Sequence, residues 1–98
     1  MPLAVCRYET LSAEGMTRAR EVYPRHLAYL QEFASSGDLL LIGTFADPVA
    51  DGSMAVFRDR AAAERFTAGD PFLIEGVVIG WRILDWDASA YGTIAPER

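Results

Sequence analysis

Residues 39–58 of this chain read LLLIGTFADPVADGSMAVFR, and this stretch decides the fold. An apolar segment over residues 39–45 predicts a buried strand, and residues 53–58 predict the strand that returns beside it. The Asp51-Gly52 pair between them is a strong turn signal. The stretch therefore predicts a β-hairpin in the middle of the chain.

The segments on either side of the hairpin alternate between strand and helix patterns. In chain order they are a strand over residues 2–8, a helix over 13–36, a second helix over 60–66 and a strand over 76–86. Ser12 and Asp59 are the expected N-caps of the two helices, and Pro24 predicts a kink or a restart in the first. The order βαββαβ is the ferredoxin-like split βαβ arrangement. We expect an α+β fold with a four-stranded antiparallel sheet and two helices on one face.

The predicted strands carry apolar side chains toward both faces of the sheet, although helices cover only one. Monomers rarely expose a contiguous apolar patch larger than about 300–600 Å². We therefore expect a homodimer in which the open sheet faces stack, with a ligand pocket between helix and sheet or at the seam.

Composition narrows the possible functions. The chain has 98 residues, which predicts a single domain over residues 1–98, and a net charge of −5 with nine Arg and no Lys. An acidic chain without a basic run argues against nucleic-acid and membrane partners. One His and one Cys offer no zinc spacing, there is no glycine-rich phosphate loop, and we expect neither metal nor cofactor. The lone Cys6 predicts a reducing, cytoplasmic setting.

The only histidine, His26, lies on the apolar stripe of the first helix. Its side chain titrates near neutrality, so it is either a proton-transfer residue or a half-buried histidine bonded to a carbonyl or water. Asp70 precedes Pro71 and is expected to cap a turn there, a role compatible with orienting His26. Asp38 is the lower-ranked alternative partner. The predicted catalytic residues are His26 and Asp70.

Four further residues are predicted to contact a substrate. Arg25 is adjacent to His26 and could meet a carboxylate, while Tyr23 could donate a hydroxyl hydrogen bond. Phe72 follows Asp70, and Arg82 in the middle of the last strand could reach the seam between sheets. Each also has a structural alternative, namely a solvated charge or an aromatic packing contact.

Three motifs in order resemble the YciI-like family of the dimeric α+β barrel superfamily. They are an H-L-x-x-L run from His26, a G-x-L-L-x-x-G segment from Gly37, and Asp70-Pro71-Phe72. The resemblance implies a ferredoxin-like protomer paired through its sheets and a His–Asp active site at His26 and Asp70. Members of this family include a cofactor-independent dehydrochlorinase of chlorinated hydroxyhydroquinones, and muconolactone isomerases and cofactor-free monooxygenases share the superfamily.

The chain departs from the family pattern at two positions. Tyr23 stands where an arginine is usual, and Gly43-Thr44 replaces a usual Gly-Pro. We expect a lyase or isomerase in which His26 transfers protons on a small phenolic, enolic or lactone substrate. The alternatives are a non-catalytic binding or accessory dimer and a cofactor-free oxygenase.

Overall fold

The computed structural model describes residues 1–92, which form four strands and four helices. In chain order these are β1 (Pro2–Leu11), α1 (Gly15–Ala34), β2 (Leu39–Thr44), α2 (Pro48–Asp51), β3 (Ser53–Phe57), α3 (Arg60–Gly69), α4 (Pro71–Ile74) and β4 (Val78–Asp87). The predicted order βαββαβ is present, with the single-turn helices α2 and α4 added to it. The predicted single domain over 1–98 includes residues 93–98, which lie outside this description.

The strands form one antiparallel sheet in the order β2-β3-β1-β4. Alternation along the central strand β1 turns Ala4, Cys6 and Tyr8 toward the helices, where all three are buried. The predicted fold class, an α+β fold with helices on one face of a four-stranded antiparallel sheet, is confirmed.

The core lies between this face of the sheet and helices α1 and α3. Phe57 and Phe66 are fully buried, and their ring centroids lie 5.2 Å apart. Phe33 of α1 packs edge-on against both rings. Aromatic contacts at such separations add to the stabilisation from apolar burial, so these rings tie α1 and α3 to the sheet.

Local signals at the helix ends were partly correct. Asp59 caps α3 as predicted, because its carboxylate accepts a hydrogen bond from the Ala62 N–H at 2.8 Å. The prediction for Ser12 was wrong, since Glu14 occupies the N-cap of α1 and makes no side-chain capping bond. Helix α1 does not restart at Pro24, which lies inside one continuous helix. Packing of the apolar stripe on the core offsets the missing backbone hydrogen bond there.

The second face of the sheet carries large apolar side chains that remain partly exposed. Leu41, Leu84 and Trp86 on this face are 48%, 40% and 47% exposed. Within residues 1–92, no helix is both long and apolar enough to cross a membrane.

Candidate functional site

Asp70 occupies the junction between α3 and α4 and is fully buried. Its Oδ1 accepts a hydrogen bond from the Phe72 N–H at 3.1 Å, which caps α4, and Pro71 fills the first position of that helix. Proline is favoured there because its ring presets the helical φ and its missing N–H would have no partner. The local sequence therefore fixes this carboxylate at the start of a turn, as predicted.

The structure brings His26 to Asp70. Helix α1 carries His26, which is 7% exposed, and its Nδ1 lies 2.7 Å from Asp70 Oδ1. Because an ionised carboxylate only accepts hydrogen bonds, Nδ1 is the nitrogen that donates to Asp70. In the neutral tautomer with this donor, Nε2 has the free lone pair.

Asp38, the alternative partner, lies elsewhere. Its carboxylate binds Arg65 at 2.6 Å and Arg58 at 3.7 Å. Both arginines are largely exposed, so this is a surface ion-pair cluster.

Tyr8 is the residue of this site that the sequence pattern did not reveal. Its hydroxyl donates a hydrogen bond of 2.5 Å to Asp70 Oδ2, from a position 62 residues away along the chain. Burial, and then the negative charge of Asp70, raise the pKa of the Tyr8 hydroxyl above its ordinary range, so this group stays a donor. Its position on the helix-facing side of the central strand was the only signal available.

Two aromatic rings flank the imidazole. Phe72 stacks on His26 with the ring centroids 3.9 Å apart and the planes nearly parallel, at 1°. The Tyr23 ring lies 6.2 Å from His26, and this residue is half exposed. Phe72 therefore holds the plane of the imidazole, while Tyr23 lies at the mouth of the site.

A cavity of about 370 Å³ lies beside His26, between α1, α2 and the sheet. Most of its lining residues are apolar, including Leu11, Met16, Leu30, Ile42, Ala55, Phe66, Phe72 and Val77. Within residues 1–92, Arg7 Nε is the only buried side-chain nitrogen or oxygen without a hydrogen-bond partner. His26 Nε2 has no hydrogen-bond partner in the described residues and is not one of these buried atoms, so it keeps some exposure. Because His26 lines the cavity, the cavity is where a ligand could meet Nε2.

Cys6 also lines this cavity, but its thiol is not activated. Burial, and then the charge of Asp70, raise the pKa of Cys6 to about 12. The thiolate is the nucleophilic form of cysteine, so Cys6 is a packing residue at neutral pH.

The two arginines predicted to bind substrate do not line the cavity. Arg25 pairs with Glu75 on the surface at 3.2 Å. Arg82 lies opposite Arg7 in the register of β1 and β4, on the open sheet face, and pairs with Glu9 at 3.2 Å. Of the four predicted contact residues, the structure places Tyr23 and Phe72 at the cavity and leaves Arg25 and Arg82 outside it.

The described part of the lining contains no Arg, Asp or Glu, and His26 is its one histidine. Residues 1–92 contain no group of three or more His, Cys, Asp or Glu side chains arranged to hold a metal ion. An imidazole at a cavity is a group that can transfer protons, and the hydroxyl groups of the lining can serve as hydrogen-bonding partners.

Comparison with known proteins gives a family and a fold. The family model of the YCII-related domain matches residues 1–87. No curated protein matches the chain. Among solved structures, 5-chloro-2-hydroxyhydroquinone dehydrochlorinase from Burkholderia phenoliruptrix AC1100, in complex with 2,5-dihydroxybenzoquinone, is similar with a TM-score of 0.65 and 19% identity. The similarity covers 91% of this chain and 96% of that one.

Proposed function

The chain belongs to the family of YCII-related domains, and on that premise we propose a cofactor-independent lyase or isomerase. Its substrate is a small phenolic, enolic or lactone molecule, His26 transfers the protons and Asp70 orients His26. The observation that carries this proposal is the environment of the two His26 nitrogens. Nδ1 is bound to a buried carboxylate, whereas Nε2 has no partner in the described residues and His26 lines an apolar cavity. The similar fold of a dehydrochlorinase supports a small-molecule enzyme at this coarse level.

His26 acts first as the base. Nε2 takes the proton of a substrate hydroxyl, and the positive charge that develops on the imidazole lies beside Asp70. Tyr8 and the Phe72 N–H hold the carboxylate in place during this step. A substrate bound against the apolar walls would displace water, which would strengthen these electrostatic contacts.

The imidazolium then returns its proton to a ring carbon of a phenolic substrate, which gives the keto tautomer. If that carbon bears a halide, His26 takes a proton from a second hydroxyl, halide leaves with the bonding electrons, and a quinone remains. The net change is loss of one hydrogen halide, and no oxidant is needed. If no leaving group is present, the first half of the sequence is an isomerisation.

The second candidate is a non-catalytic binding module. The hydrogen bonds of Asp70 favour it, because capping α4 and bonding to Tyr8 give this carboxylate a complete structural role. This candidate predicts ligand binding without turnover.

The test is turnover of halogenated hydroquinones and small lactones, with His26→Ala compared with wild type. We expect kcat to fall by about 10²–10⁴-fold, the usual contribution of positioned proton transfer. Arg20→Gln, an exposed change on the same helix, is the control and should leave turnover unchanged. Full turnover by His26→Ala would overturn the mechanism, and binding without turnover by wild type would favour the second candidate. A reaction that stops under nitrogen would identify an oxygenase instead.

The assembly proposed for this enzyme is a homodimer formed by stacking of the open sheet faces. Leu41, Leu84 and Trp86 supply exposed apolar area on this face, and Arg7 Nε there is buried without a partner in the described residues. A second copy of the chain would cover this apolar area and could supply a hydrogen-bond acceptor to Arg7 Nε. Sedimentation should give a dimer for wild type and a monomer for Trp86→Asp, and a wild-type monomer at micromolar concentration would refute the assembly.

The setting we propose is the cytoplasm. Cys6 is a free, buried thiol, and unpaired thiols are typical of reducing compartments. Cell fractionation of the native protein is the direct test, and recovery of the protein from an oxidising compartment would exclude the proposal.

A further inference from the structure

Three hydroxyl-bearing side chains form one row across the floor of the cavity. In the strand register, Thr44 of β2 lies opposite Ser53 of β3, and Ser53 lies opposite Tyr8 of β1. Directly opposed residues turn their side chains to the same face of a sheet, and all three of these residues line the cavity. The row therefore runs from the Asp70 contact toward the edge strand β2.

Only one of these hydroxyls makes a hydrogen bond to another residue of the described structure. Tyr8 donates to Asp70, whereas the Ser53 and Thr44 hydroxyls make no hydrogen bond to another described residue. Thr44 is exposed and Ser53 is half-buried, so both can reach a ligand or water. The floor thus offers two free hydroxyls, each able to donate and to accept.

The charge of the lining limits what these hydroxyls can bind. Arg25 and Arg82, the arginines considered from the sequence, pair with Glu75 and Glu9 outside the cavity. Transfer of a carboxylate into a mostly apolar site without a cation is strongly unfavourable. A neutral oxygen substituent, by contrast, needs only a hydrogen-bonding partner.

We propose that this cavity selects an uncharged ring with two oxygen substituents, one at His26 Nε2 and the other at the hydroxyls of Ser53 and Thr44. This inference rests on the proposed function and adds the substrate class. A volume of about 370 Å³ is near the lower end of the roughly 300–1,000 Å³ found for ligand sites, which suits a single ring. Ser53 and Thr44 are then specificity-determining residues, distinct from the proton-transfer residues.

The test is binding, measured by calorimetry under nitrogen at neutral pH. The probes are phenol, catechol, resorcinol, hydroquinone and 4-hydroxybenzoate, and the imidazole resonances of the single histidine report whether each probe occupies the cavity. At least one dihydroxybenzene should bind about three- to tenfold more tightly than phenol, as one added hydrogen bond provides. The anion 4-hydroxybenzoate should bind more weakly than hydroquinone.

Two variants test whether Ser53 and Thr44 cause the tighter binding of dihydroxybenzenes. Thr44→Val combined with Ser53→Ala should abolish the advantage of the dihydroxybenzene and leave phenol affinity unchanged. Thr44→Ser should retain the advantage, and Thr17→Val on the exposed part of α1 is the matched control. Urea unfolding midpoints verify that each variant is folded.

The outcomes separate this inference from the proposed function. Equal affinity for phenol and all dihydroxybenzenes, an advantage that survives the double variant, or tighter binding of 4-hydroxybenzoate would overturn the inference. None of these results depends on turnover. A hydroxyl-dependent preference in a protein that turns over no substrate would instead refute the proposed function alone.

Discussion

The dipeptide Gly-Asp occurs near the C-terminal ends of two helices of this protein, in opposite environments. Gly37-Asp38 lies just beyond α1, and Gly69-Asp70 lies at the end of α3. The Asp38 side chain is 27% exposed and binds two surface arginines, whereas Asp70 is fully buried and is bonded to Tyr8, His26 and the Phe72 N–H. The same residue type is thus a surface ion-pair partner in one region and the centre of a buried hydrogen-bond network in the other.

This difference shows that the bonding partners and the burial of a carboxylate, rather than its local sequence, decide its role. Asp38 faces water and two largely exposed guanidinium groups, so its electrostatic contribution is small and screened by salt. Asp70 lies where water cannot solvate it and depends on Tyr8, His26 and the Phe72 N–H for that purpose. Only the second arrangement places a buried carboxylate against an imidazole.

The largest effect is expected when the two carboxylates are changed in the same way. Asp70→Asn replaces an oxygen acceptor by a donor and leaves at least one buried donor unpaired. We expect the free energy of unfolding to fall by about 3 kcal/mol. Asp38→Asn, the matched change on the surface, should cost less than about 1 kcal/mol. Urea denaturation of both variants measures the difference, and equal losses would show that the comparison is wrong.

A smaller effect is expected when only one of the Asp70 contacts is removed. Tyr8→Phe keeps the ring in the core and deletes the hydroxyl that donates to Oδ2. The free energy of unfolding should fall by about 1–2 kcal/mol, and turnover should fall less than in His26→Ala. Tyr91→Phe serves as the control because Tyr91 is 97% exposed. A Tyr8→Phe protein as stable as wild type would mean that this hydrogen bond is dispensable.

The smallest effect appears in the pH dependence of stability. Cys6 has a pKa raised from its ordinary value of 9.0 to about 12, by burial first and by Asp70 second. Above pH 9 the unfolded chain therefore binds fewer protons than the folded one, and stability falls as pH rises. Between pH 8 and pH 10 the free energy of unfolding should therefore fall more in wild type than in Cys6→Ala. The difference between the two falls should be about 1 kcal/mol.

Denaturation curves of both proteins at a series of pH values measure this difference in slope. The comparison uses slopes because Cys6→Ala also loses core packing, which lowers stability at every pH. Tyr8, whose pKa is raised first by burial and then by Asp70, remains in both proteins. Parallel curves would show that Cys6 is not held neutral by burial and by Asp70.

Much of the fold could be predicted from short stretches of sequence. The alternation of apolar residues gave the strands, and Asp59 and Asp70-Pro71 marked helix starts correctly. Ser12 failed as an N-cap because α1 begins three residues after it, at Gly15, where the N-cap Glu14 makes no side-chain capping bond. Part of the candidate site could also be predicted from the sequence, since His26 is the only histidine and Asp70 lies in a capping motif.

The remaining features depend on contacts between residues far apart in the chain. His26 meets Asp70 across 44 positions and Tyr8 meets Asp70 across 62, so no local pattern contains either contact. The choice of Asp70 over Asp38, the free hydroxyls of the cavity floor and the exclusion of Arg25 and Arg82 from it follow from how α1 and the sheet pack. The sequence alone determined which segments are helices and strands, because those preferences act over a few residues. Only the tertiary structure decided which side chains meet, because packing and burial act between distant segments.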